Sequence, residues 1–172
     1  AFSKVLVVPI FDEKSDCLNS VFKNITTEDT LIIPIVNAPE QTNVTGSLFE
    51  SLGEKIERTL ACLEDLRRSS SFPLLIVDRV TEGRRIPPKE GVGLARKIGS
   101  DIALSLIAQN KIKSQWIYLT DADAVLPSDY FLRNLPVAGA VLFPFKHVTN
   151  DTTLQKCARL YELHMDHYEK SL

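Results

Sequence analysis

The run Val5-Leu6-Val7-Val8-Pro9-Ile10-Phe11 decides the fold. It is seven apolar residues long, with three valines and no charge, which is the pattern of a short strand covered on both faces. Outward from it, two periodicities alternate. Residues 16–23 carry Cys17, Leu18, Val21 and Phe22 at helical spacing. Residues 31–36 form a second buried strand, closed by Asn37-Ala38-Pro39, a turn signal whose proline also removes a backbone donor. The capping box Ser47-x-x-Glu50 opens a long amphipathic helix running to about residue 68, with Phe49, Leu52, Ile56, Leu60 and Leu63 on one stripe. Ser69-Ser70-Ser71 stops it.

The alternation continues to the end of the chain. Residues 74–77 are expected as a third strand, and residues 79–90, with Gly83 and Pro87-Pro88, as a loop. Residues 92–108 read as a helix with Ala95, Ile98, Ile102 and Leu106 in line, residues 115–120 as a fourth strand and residues 138–143 as a fifth. A last helix spans residues 151–168, opened by a Thr152-x-x-Gln155 box. Strand and helix in repeated alternation build an α/β, Rossmann-like three-layer sandwich with a mostly parallel central sheet. In such open sheets ligands bind beyond the C-terminal strand ends, which points to residues 9–13, 37–41, 78–85 and 121–123.

Composition narrows the classes. The 172 residues, 44% hydrophobic and 24% charged, suit one domain with a real core and exclude disorder, collagen-like repeats and a disulfide scaffold. No apolar run approaches the roughly 18 residues of a membrane span, and Ala1-Phe2-Ser3-Lys4 lacks the basic and apolar regions of a signal peptide. Cys17, Cys62 and Cys157 are odd in number and far apart, so buried, reduced thiols in a cytoplasmic protein are expected. A net charge of −2 is too balanced to indicate nucleic acid or an anionic membrane surface. Its distribution is uneven: Arg79, Arg84, Arg85, Lys89, Arg96 and Lys97 crowd one stretch against only Glu82 and Glu90. That stretch reads either as a solvated loop face or as a site for a phosphorylated ligand.

The most informative segment is Trp116-Ile117-Tyr118-Leu119-Thr120-Asp121-Ala122-Asp123-Ala124-Val125-Leu126-Pro127. An apolar strand delivers two carboxylates, two positions apart, to the edge where ligands bind. Like charges this close repel, unless a cation sits between or beside them. Mg²⁺ or Mn²⁺, held by one or two carboxylates and completed by substrate phosphate and water, resolves the repulsion. The bland alternative is a pair of turn residues. Asp121-Ala122-Asp123-Ala124-Val125-Leu126 also fits the signature of haloacid-dehalogenase-type phosphatases, in which the first Asp is a phosphoryl nucleophile and the second a general acid/base. In that family the signature follows the first strand, whereas here three expected strands precede it.

Read together, the motifs resemble the family-2 glycosyltransferases of the GT-A fold. Val7-Val8-Pro9-Ile10-Phe11-Asp12-Glu13 is similar to the family's V-I-P-x-Y-N-E. The segment from Gly91 to Gly99 looks like its G-x-G-x-A-R-N-x-G, with Lys97 in the Asn position, and Asp121-Ala122-Asp123 falls where its DxD motif lies. The resemblance covers residues 3–145. It implies a nucleotide-diphosphate sugar as donor, Pro9, Phe11 and Glu13 lining the nucleotide pocket, and Arg96 shaping it. Asn37 would touch base or ribose where the family commonly carries Asp. Asp121 would face the ribose or a metal-bound water, and Asp123 would coordinate the divalent cation on the diphosphate. Such an enzyme transfers the sugar to an acceptor, here unknown, with inversion, and needs a general base that no residue of this sequence matches. The acceptor-binding half is expected to be truncated or absent after about residue 145. A nucleotide-sugar-binding module without catalysis is the alternative.

Two weaker constellations remain. His164-x-x-His167 has a spacing that could present two imidazoles to a metal, but the apolar stripe Leu154, Cys157, Ala158, Tyr161, Met165 and Tyr168 leaves both histidines at its rim. Leu160 and Leu163 lie off that stripe as well, as if the helix met further material. Gly91-x-Gly93 lacks the third glycine of a dinucleotide fingerprint, because Arg96 stands there. Its glycines are read as permitting close backbone approach at a helix start.

Overall fold

The computed structural model describes residues 1–13, 15–23, 25, 29–39, 47–87 and 89–169, in two compact units, Ala1–Phe131 and Leu132–Leu172. The first contains β1 (Lys4–Ile10), α1 (Ser15–Lys23), β2 (Thr30–Asn37), α2 (Ser47–Ser69), β3 (Val77–Arg79), α3 (Gly91–Ala108) and β4 (Tyr118–Leu119). The four strands make one sheet in the order β3-β2-β1-β4, and every pairing is parallel. The chain therefore builds to one side of β1, through β2 and β3, and then reverses to place β4 on the other. Right-handed crossovers put α1 and α2 on one face and α3, which precedes the reversed strand, on the opposite face.

Burial explains why the opening run is apolar throughout. Val5, Leu6, Val7, Val8 and Ile10 are all fully buried, as a central strand with two covered faces requires. One face of β1 and β2, formed by Val5, Val7, Leu31, Ile33 and Ile35, packs with Ala95 and Ala103 of α3. The buried seam of α3 is Ala95, Gly99 and Ala103, whereas Ile98, Ile102 and Leu106 are its half-buried flanks. Small residues take the seam because the helix lies close against the strands. A Cβ on Gly99 would fall 2.2 Å from Val7 Cγ1.

Several boundaries differ from expectation for local reasons. β1 stops at Ile10, so Phe11 lies beyond the sheet and is 46% exposed. The third strand is Val77–Arg79; upstream, Leu74 makes only an isolated bridge to Ile32, and the Leu75 side chain is exposed. The fourth is only Tyr118–Leu119. Upstream, the Ser114 hydroxyl accepts from Trp116 N at 2.9 Å and donates to Trp116 O at 3.1 Å, so a local side-chain turn replaces ladder bonds. Residues 138–143 form no strand; Val137, Val141 and Leu142 are exposed and Gly139 has φ 118°.

On α2, Leu63 is buried and Ile56 and Leu60 are half-buried, while the side chains of the Ser47 box, Phe49 and Leu52 lie outside the described residues. In the second unit, α4 (Thr152–Glu169) is capped by Asp151, not by the expected Thr152 box. Asp151 Oδ1 accepts from Thr153 N at 2.7 Å and Leu154 N at 3.0 Å, a carboxylate at the N-cap being a strong acceptor. Gln155 instead donates to His147 O at 3.3 Å. His164 and His167 are exposed. Cysteine burial departs from expectation: Cys62 is only partly buried and Cys157 is exposed, while the Cys17 side chain lies outside the described residues. Among the described residues no helix is long and apolar enough to cross a membrane.

Candidate functional site

The reversal of strand order between β1 and β4 leaves a crevice beyond their C-terminal ends, the place where open parallel sheets take ligands. A cleft of about 460 Å³ lies there. It is lined by Pro9, Phe11 and Glu13 after β1, Asn37 at the end of β2, Arg96 of α3, and Asp121 and Asp123 after β4. All seven residues singled out from the sequence thus converge on one cavity. Pro39, Ile86 and Pro87 add an apolar wall that sequence reading took for turns. The signal that could have found it is the pairing of Pro39 with Ile86, supported by Ile86 N donating to Ala38 O at 3.0 Å, but that pairing is not local.

Asp121 and Asp123 sit in a turn and not on a continuing strand. Ala124 N donates to Asp121 O at 3.2 Å, and the small side chain between the two carboxylates, Ala122, is buried together with Leu126. The carboxylates are consequently turned outward while the turn is anchored beneath. Tyr130 fastens its return, donating from its hydroxyl to Leu119 O at 3.1 Å and stacking tilted on Tyr118 at 5.7 Å. Burial and the neighbouring Tyr118 push the Tyr130 hydroxyl up to about 12.

Charge is divided unequally in the cleft. Arg96 forms an ion pair with Asp121, a contact between residues 25 apart in sequence. The half-buried Glu13 has its carboxyl raised above the usual glutamate range, first by burial and then by repulsion from Asp123, Asp12 and Asp121. Asp12, in the left-handed region at φ 56°, is compensated by Lys55 at 2.5 Å. Asn37 is buried and donates from Nδ2 to Ile10 O at 3.0 Å, so it holds the end of β2 to the end of β1. An aspartate there could not make that bond.

Half of the basic stretch is engaged by its own fold. Arg84 pairs with Asp78 at 3.8 Å, Arg85 Nε donates to Val80 O at 2.8 Å, and Lys97 pairs with Asp101. Asp78 is held below the usual aspartate range, as Thr81, the backbone N–H groups of Val80 and Thr81 and then Arg84 outweigh its burial. Of the six basic residues only Arg96 lines the cleft. Beside it, the N-terminus of α3 contributes Gly91 and Val92. The Glu90 side chain does not cap that end, and its first turn carries no acidic residue, so its positive dipole end is suited to an anion.

The donor chemistry suits a hard divalent cation only in part. Asp121 and Asp123 offer carboxylate oxygens, yet among the described residues no three His, Cys, Asp or Glu side chains are grouped to hold a metal ion. Such a pair fits a cation shared with a ligand phosphate and waters, the usual habit of Mg²⁺, and does not fit an all-protein cage. No protein-family model, curated protein or solved structure matches the chain.

Proposed function

We propose that the cleft binds a nucleoside-diphosphate sugar together with a divalent cation, Mn²⁺ or Mg²⁺, and that the chain is the donor-binding part of a glycosyltransferase similar to the family-2, GT-A enzymes. The observation that carries this reading is that one cleft is lined by both apolar and charged side chains. Pro9, Phe11, Pro39 and Ile86 supply an apolar wall with one exposed aromatic ring, suited to the flat face of a nucleobase. Arg96 and the start of α3 supply hydrogen-bond donors for a diphosphate, and Asp121 and Asp123 line the same cleft.

In this reading Asn37 contacts base or ribose, Glu13 borders the nucleotide, and Asp121 and Asp123 hold the cation against the diphosphate. That cation supplies Lewis-acid neutralisation of the charge that develops on the leaving nucleoside diphosphate. The Arg96 guanidinium and the first N–H groups of α3 contribute in the same direction, by donating hydrogen bonds that strengthen as the bond to the sugar breaks. The acceptor hydroxyl must lose its proton to a base, to which no residue of this chain is assigned.

Calorimetry with Mn²⁺ and a panel of UDP, GDP and ADP tests the reading. Binding of at least one at millimolar affinity or better is expected, weakened by Asp123→Ala. No binding of any nucleotide or sugar nucleotide rejects it. Binding without metal-dependent release of nucleoside diphosphate identifies a donor-binding module.

A further inference from the structure

We propose that Arg96 and Asp121 form a latch that makes cation binding depend on diphosphate binding. This rests on the reading of the cleft given above and adds an order of events to it. The Arg96 guanidinium is hydrogen-bonded to Asp121 Oδ1. The Asp121 carboxylate, two positions from Asp123, is therefore already paired, and a cation approaching it meets a positive charge. The same guanidinium is the only one of the six clustered basic side chains that lines the cleft. Cation and diphosphate thus call on opposite halves of one ion pair, the cation on Asp121 and the diphosphate on Arg96.

The pair is built to open. Its side chains are 41% and 55% exposed, and a pair this open to water contributes little to stability. Arg96 lies five positions along α3 from Gly91, which lines the cleft with Val92 at the helix start. A diphosphate seated there offers the guanidinium a more highly charged, bidentate acceptor than one carboxylate oxygen. When Arg96 turns to it, Asp121 loses its cationic partner, and the two carboxylates of the turn, Asp121 and Asp123, are left to repel each other. A cation relieves that repulsion. The coupling is reciprocal by linkage: whatever factor the diphosphate adds to cation affinity, the cation adds to diphosphate affinity.

The test follows free Mn²⁺ by electron paramagnetic resonance in the parent chain, Arg96→Ala and Arg96→Lys, with and without UDP or GDP. Thermal melting checks that each variant is folded. Without nucleotide, Arg96→Ala should bind Mn²⁺ about two- to fivefold more tightly than the parent, the range set by a water-exposed ion pair, while Arg96→Lys, which keeps the charge, stays near the parent. Nucleotide affinity should fall about tenfold or more in Arg96→Ala, and the gain in Mn²⁺ affinity on adding nucleotide should shrink. If Arg96→Ala weakens nucleotide binding but leaves Mn²⁺ affinity without nucleotide unchanged or lower, the latch is overturned and Arg96 is a phosphate ligand alone. If the parent binds neither nucleotide with Mn²⁺ present, the functional reading fails and the latch fails with it.

Discussion

Gly99 lies so close to Val7 that a Cβ on the glycine would stand 2.2 Å from Val7 Cγ1 and 3.2 Å from Ile35 Cγ1. This approach seats α3 on the centre of the sheet and thereby fixes where the helix start, with Gly91 and Arg96, meets the strand ends.

Replacing Gly99 should therefore unseat the helix. Alanine gains about 1 kcal/mol in helix propensity, but forcing a methyl into a packed core costs about 1–3 kcal/mol or more, and with both strands rigid the clash prevails. Chemical denaturation should show Gly99→Ala less stable than the parent and Gly99→Val less stable still. Adding Val7→Ala to Gly99→Ala should recover part of the loss.

Asn37→Asp tests the tie between the ends of β2 and β1. The Nδ2 to Ile10 O bond of 3.0 Å is lost, and a buried carboxylate faces a carbonyl oxygen, a cost of about 1–3 kcal/mol. Burial raises the folded-state value of the new carboxyl above its unfolded value. The penalty is thus complete above the folded value and diminishes as pH falls toward the unfolded one. Denaturation at neutral and acid pH should show the gap from the parent closing on acidification.

Much of the fold was legible in the sequence because its signals are local. The apolar run at Val5–Ile10 and the helical spacing on α3 each declare an element without reference to the rest of the chain. What was not legible depends on distant partners. Gly99 reads as a weak point in a helix until Val7 is set against it, and the short β4 follows from a Ser114 turn that no periodicity reveals. The seven cleft residues were legible as motif and strand-end positions. The Arg96–Asp121 pair was not, since it joins two motifs 25 residues apart, and neither was the wall formed by Pro39 and Ile86.

Glu13→Gln should change stability in the opposite sense to Asn37→Asp. The Glu13 carboxyl is raised by burial and by Asp123, Asp12 and Asp121, so its ionisation disfavours the folded state. Above its raised value the glutamine variant should be more stable than the parent, by less than about 1 kcal/mol at so solvated a position. As pH falls through that value the advantage disappears, because the parent binds its proton. Equal differences at pH 4 and pH 7 in denaturant titrations would contradict this assignment.

Tyr130→Phe removes the hydroxyl that donates to Leu119 O at 3.1 Å. A loss of about 0.5–1.5 kcal/mol is expected, with faster amide exchange in the turn holding Asp121 and Asp123. In the parent, the ultraviolet titration of Tyr130 should have its midpoint at about 12.

The nucleotide and cation site proposed for the cleft has a direct test. Isothermal titration of the parent chain with UDP and GDP, each in Mn²⁺ and in EDTA, tests it most directly. Saturable binding of at least one nucleotide is expected in Mn²⁺, weakened in EDTA and by Asp123→Ala. Heats that stay at the level of dilution for both nucleotides in Mn²⁺, at millimolar concentrations, would contradict it.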